Sequence, residues 1–131
     1  MRFSWPLGKR KRWRGTKSIA SQVMPGVRFE IVRMTFSRRG HLLAAIRDLT
    51  NEMEYRAGGS ELAEKVSAAL IRLKIDRTYL EWGLRRIENL EVDGAAATPL
   101  SLAENGPEDL CREVLDAIRH ECGLSEQERK N

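Results

Sequence analysis

The stretch from Ser60 to about Trp82 constrains this chain most, because it has helical periodicity and apolar residues on two opposite faces. Leu62, Val66, Leu70, Leu73, Leu80 and Leu84 recur at steps of three, four or seven, the spacing of one helix face. Ile71, Ile75, Tyr79 and Trp82 recur at four, four and three. At about 100° per residue the two rows lie on roughly opposite sides of the helix. A surface helix needs one apolar face, so this one is expected to sit between two layers. One layer comes from its own domain, and the other from the rest of the chain or from a partner. The row Ile71, Ile75, Tyr79 and Trp82 is the expected partner-facing or self-associating surface, with Trp82 as its anchor. The competing reading places both rows in the core.

The flanking segments supply fewer layers than such a helix needs. Pro25-Gly26 punctuates the chain. After it, Val27, Phe29 and Ile31 alternate, then Val32, Met34 and Phe36 alternate in the opposite phase. That switch predicts a strand with a bulge, or one covered on both faces. Ser37 is placed to cap a helix carrying Leu42, Ile46, Leu49 and Met53, a clean single stripe widened by Leu43. Arg38 and Arg39 fall in its first turn, where they oppose the helix dipole, so that turn is expected to fray or to hold an acidic partner. Gly58-Gly59 ends this helix, and Ser60 with Glu61 and Glu64 opens the long one. The short link predicts an antiparallel hairpin.

Beyond Gly83, Leu90 and Val92 alternate with charged residues before the turn signal Asp93-Gly94. Residues 86–92 read as a short strand able to pair with the first, with continued helix to Leu90 as the alternative. Thr98-Pro99 opens a short helix to Glu104. Asn105-Gly106-Pro107 then starts another, whose buried stripe is Leu110, Val114, Leu115, Ile118 and Cys122 before Gly123. Ser125 to Glu128 fits a capping box for a last turn or two. The expected fold class is mostly α with a minor β component. It comprises a helical hairpin with a long two-faced helix, a small two-stranded sheet and a C-terminal helix.

The charge is split unevenly. Eight Lys or Arg and no acid precede Glu30, leaving fifteen basic residues against nineteen acidic ones in the remainder. The formal +4 thus describes a basic arm on an acidic body. Residues 1–25 read as a disordered basic arm and 26–131 as one small helical domain. The cluster Lys9, Arg10, Lys11, Arg12 and Arg14 is flanked by Trp5 and Trp13. Tryptophan among cations stacks on bases or sits at a membrane surface. A solvated tail, nucleic-acid contact and lipid contact all remain open for it.

Apolar runs fall short of the roughly 20 residues of a membrane span. The basic start has no apolar stretch behind it, so it does not read as a secretory signal. Cys111 and Cys122 lie eleven apart on one helix face, about 16 Å along the axis. That is too far for a disulfide, and the two read as small buried groups in a reducing cytoplasm. His41 and His120 lack ligand or nucleophile partners at chelating or catalytic spacing, and no Gly-rich phosphate loop is present. No catalytic, cofactor or metal residues are expected, and the chain reads as a non-enzyme.

Several short motifs carry a resemblance. Trp82-Gly83-Leu84, Leu90-Glu91-Val92-Asp93-Gly94, Thr98-Pro99, Gly106-Pro107-Glu108-Asp109-Leu110 and the terminal Glu128-Arg129-Lys130-Asn131 resemble small accessory proteins of tailed phages and prophages. The nearest class is the phage tail assembly chaperone, over roughly residues 82–131, and the basic arm departs from its pattern. The resemblance implies a protein of the bacterial host cytoplasm that binds a helical tape-measure-type partner and shields it until the tail forms. It brings no catalytic residues. The competing expectations are a nucleic-acid-binding module using the basic arm, and a structural or adaptor protein of a phage particle.

Overall fold

The computed structural model describes residues 10–59 and 61–123. Three features singled out above therefore lie outside the described residues: Lys9 and Trp5 of the arm, the Ser60 cap, and residues 124–131 with their capping box. In chain order the elements are β1 (Thr16–Ala20), β2 (Arg28–Val32), α1 (Phe36–Ala57), α2 (Leu62–Gly83), β3 (Leu84–Glu88), β4 (Glu91–Val92), β5 (Ala95–Ala96), α3 (Pro99–Asn105) and α4 (Glu108–Cys122). The chain is mostly α with minor β, as expected.

The sheet is three-stranded, antiparallel, in the order β1-β2-β3. The expected pairing of the first strand with the segment after the long helix is present as β2 with β3. The additional strand is β1, which corrects the arm boundary. Thr16 to Ala20 pair with Val32 to Arg28 across the ladder. Ser21 N–H donates to the Val27 carbonyl at 2.8 Å and closes the connecting loop. Residues 16–25 thus belong to the fold. Their sparse apolar content hid this, since β1 is an edge strand that buries little of itself.

The β2–β3 ladder carries a bulge, with its extra residue on β3. Glu30 pairs with Arg86 but Ile31 pairs with Leu84, leaving Arg85 over. The strand β2 itself keeps an unbroken register with β1, and its successive residues Ile31 and Val32 are both buried, so this end of β2 is covered on both faces. β3 begins directly at Leu84, without a loop, because α2 ends at Gly83 against α4. A Cβ on Gly83 would stand 2.7 Å from the Ile118 side chain. The expected strand over 86–92 is divided instead. Asn89, at φ 65, breaks it, and Asp93 (φ 53) with Gly94 (φ 81) turns the β4–β5 hairpin. Two successive residues at positive φ are what a type I′ hairpin turn demands.

Thr35, not Ser37, caps α1, and its Oγ1 accepts from Arg38 N–H at 3.2 Å. The two arginines of the first turn satisfy carbonyls rather than an acidic partner. Arg38 Nη1 donates to Gly15 O (2.8 Å) and Arg33 O (3.0 Å), and Arg39 Nη1 donates to Cys122 O (2.9 Å) at the C-terminal end of α4. For Arg39, favourable contact with α4's negative end offsets its unfavourable place on α1. Thr98 and Ser101 form a full capping box on α3. Gly123 closes α4 in the left-handed region at φ 67.

The core joins one face of the sheet to α2, α3 and α4, with Phe29, Tyr79, Leu102, Leu110 and Val114 sealed inside. Two carboxylates of α4 fasten the loops around it. Glu113 accepts from Ser21 Oγ (2.6 Å) and Gln22 N–H (2.7 Å), and Glu121 accepts from Met34 N–H (3.1 Å). α1 lies along α2 as the second arm of a hairpin, yet only Leu42 and Ile46 of its 22 residues are buried.

Candidate protein-binding surface

The two faces of α2 have opposite fates. Ile71, Ile75 and Tyr79 are 5%, 2% and 0% exposed, and Trp82 is partly buried against the same core. The row expected to face a partner is therefore the core row. Leu62, Val66, Leu70 and Leu73 instead stand 76%, 51%, 56% and 62% exposed. Only the far end of that row, Leu80 and Leu84, is buried.

Helix lengths explain this division. α2, with 22 residues, is about 33 Å long. α4, with 15, spans about 22 Å, and the seven-residue α3 about 10 Å. These two short helices pack on α2 and cannot roof its whole length. The signal that finds the site in the sequence is thus a sum of lengths rather than the hydrophobicity of either row.

Where the exposed row approaches α3 and α4 it forms the wall of a groove of about 460 Å³. Leu70, Leu73, Leu80, Ala103, Cys111 and Leu115 line its apolar part. Its rim is charged and cross-linked. Asp76 and Arg77 stand on it, Asp76 paired with Arg119 and Arg77 bridging Glu81 (2.9 Å) and Glu104 (2.5 Å), while Arg112 holds Glu108 (2.7 Å) at an adjoining pocket. The Arg119 guanidinium also lies 5.5 Å from the centre of the Tyr79 ring, tying the rim to the core. An apolar floor between fixed charged edges is the geometry that accepts one face of an amphipathic helix.

The groove's reactive group is held inert. Cys111 Sγ donates to Leu102 O at 3.2 Å, and burial, with Glu108 nearby, pushes its thiol pKa up. Cys122, enclosed in the core, is pushed up to about 11 by burial. Raised thiols are poor nucleophiles at neutral pH. Both cysteines are free, as their spacing required. His41 and His120 are exposed. Among the described residues no group of three or more His, Cys, Asp or Glu is arranged to hold a metal ion, and no helix is long and apolar enough to cross a membrane.

The basic cluster is exposed at Arg10, Lys11, Arg12 and Arg14 and stands apart from the groove in the chain. Comparison with family models, with curated proteins and with solved structures returns no match.

Proposed function

We propose that this chain is a non-enzymatic assembly factor that holds an amphipathic helix of a partner protein on α2 and the adjoining groove. The observation that carries the reading is the solvent exposure of Leu62, Val66, Leu70 and Leu73 on a helix whose other face is sealed. Fully covering one such side chain contributes about 1.5–3 kcal/mol. Four half-exposed ones therefore offer several kcal/mol to any helix that fits. Isolated exposed apolar residues are ordinary, but a contiguous row beside a groove marks an interaction site.

The partner class consistent with the sequence motifs is a long helical tape-measure-type protein. Binding of that kind is the work of a phage or prophage tail assembly chaperone in the bacterial host cytoplasm. The helix shielded in this way would otherwise expose its own apolar face before assembly.

Leu70→Glu with Leu73→Glu tests the reading, since both positions are exposed and the fold should survive. The wild-type chain, co-expressed with a tape-measure-type helical segment, is expected to raise that segment's soluble yield and to co-purify with it, and the variant to do neither. Equal solubilisation by both proteins would sink the proposal. Finding the chain as a stoichiometric component of finished particles would replace the chaperone reading with a structural or adaptor role.

A further inference from the structure

The second feature unlike the rest of the molecule is the basic segment leading into β1. Arg10, Lys11, Arg12, Arg14 and Lys17 are all exposed. Elsewhere many arginines are paired with carboxylates: Arg47 with Asp48, Arg56 with Glu52, Arg77 with Glu81 and Glu104, Arg86 with Glu30 and Glu88, and Arg112 with Glu108. Among the described residues, none of the five cations of the segment has a carboxylate within ion-pair distance. Five exposed cations within eight residues, with no carboxylate among them, are the electrostatic footprint of a polyanion-binding strip.

The segment is also not free. Gly15 O accepts from Arg33 N–H and from Arg38 Nη1, each at 2.8 Å. The Arg33 guanidinium lies 5.3 Å from the centre of the Trp13 ring. Trp13 nonetheless remains 68% exposed. Its ring is thus steadied by a cation–π contact while most of it stays in solvent, in the midst of the cation run. Phe36, three residues beyond Arg33, is 99% exposed.

We infer that this strip binds single-stranded nucleic acid, the cations taking successive phosphates and Trp13 stacking on a base. Aromatic platforms interleaved with cations along an extended backbone are how single strands are held without sequence preference. A purely electrostatic clamp on duplex phosphates would need no exposed ring. Insertion into a bilayer surface uses an amphipathic helix with a continuous apolar face, whereas residues 10–15 form no helix, lead into a strand, and hold the ring among charges.

The test titrates the full chain into fluorescein-labelled oligothymidine of about 16 nucleotides, the upper site size of one folded stacking module. Anisotropy is read at several salt concentrations. If all five cations engage phosphates, log K falls with log salt at a slope of about −3.5, from 0.7 per contact on a single strand. Lys11→Glu with Arg12→Glu flattens that slope by about 1.4 and weakens binding. Trp13→Ala keeps the slope but weakens binding roughly five- to a hundredfold, and Trp13→Phe restores most of the loss. All these positions are exposed, so an unchanged thermal midpoint shows that binding alone was altered.

Several outcomes overturn the inference: no binding, salt-insensitive binding, full binding by the double variant, or tighter binding to a duplex of equal length. Binding to phosphatidylserine vesicles with none to the oligonucleotide also overturns it. Leu70→Glu with Leu73→Glu should bind the oligonucleotide normally, which separates this site from the helix-binding groove.

Discussion

Leu70 and Ile71 are neighbours on α2, one 56% and the other 5% exposed. The same opposition runs along the helix, with Leu73 in solvent and Ile75 sealed two residues later. Toward its C-terminus, α2 is enclosed on both sides as α3, α4 and the sheet close over Tyr79, Leu80 and Gly83. Toward its N-terminus, one side is buried and the other has no cover. Residues of equal hydrophobicity therefore do unequal work. What separates them is whether another element reaches that far along the axis, and not any property legible in the residue itself.

The widest difference is expected between Ile75→Ala and Leu73→Ala. Truncating the sealed isoleucine should cost about 2–5 kcal/mol in chemical denaturation. Truncating the exposed leucine should change stability by less than about 0.5 kcal/mol. Similar losses at the two positions would mean that both faces of α2 are packed in solution, as in a self-associated form. Repeating the pair at several protein concentrations reads that out directly.

The enclosed end also makes a pH prediction through Cys122, which packs into the same core. Folding raises its pKa from 9.0 to about 11 because burial disfavours the thiolate. The folded state holds this proton more tightly than the unfolded chain does. Its contribution is thus intact below about pH 9 and is lost as pH climbs toward 11, at up to about 1.4 kcal/mol per unit. Denaturation of the wild type and of Cys122→Ala at pH 8, 9 and 10 should show a steeper alkaline decline in the wild type. Parallel declines would show that Cys122 is not sealed.

A smaller effect is expected at the junction of α2 with α4. Alanine in place of Gly83 gains about 0.5–1 kcal/mol of helix propensity. Its methyl, however, would stand 2.7 Å from Ile118, and overpacking of that kind costs about 1–3 kcal/mol. The overlap should win, leaving Gly83→Ala about 1 kcal/mol less stable, and Ile118→Ala, which removes all three crowding atoms, should relieve the overlap in a double-mutant cycle. A stabilised single variant would mean that α4 sits farther from α2 than described. A similar cost, about 1 kcal/mol, is expected of Thr98→Ala, which removes the cap of α3. Because α3 supplies Ala103 to the groove, the same variant should weaken helix binding modestly without abolishing it.

Local signals carried much of the architecture. Thr98-Pro99, Gly123, Asp93-Gly94 and the stripe of Leu110, Val114, Ile118 and Cys122 each specify their structure within a few residues and appear where the spacing put them, while Leu115, expected in that stripe, is only partly buried and lines the groove. The phase switch between Ile31 and Val32 likewise announced a strand end covered on both faces, where both residues are buried. β1 was not legible, because an edge strand of Thr, Lys, Ser, Ile and Ala gains its order from the ladder with β2 and shows little amphipathic pattern of its own. Nor was the Thr35 cap distinguishable from Ser37, since either hydroxyl satisfies a first-turn N–H.

The sequence by itself determined that α2 exists, that it carries two apolar rows, and that a basic segment precedes an acidic body. Periodicity and charge are properties of neighbours along the chain, so no long-range contact is needed to read them. Which row became core was decided only by tertiary structure. α1, α3, α4 and the sheet all pack on α2, and Leu42 and Ile46 of α1 share the core in which the row of Ile71, Ile75 and Tyr79 is sealed. Leu62, Val66, Leu70 and Leu73 are left in solvent because no described element extends over them. Burial depends on the reach of distant elements, and that reach is a geometric fact of the assembled fold.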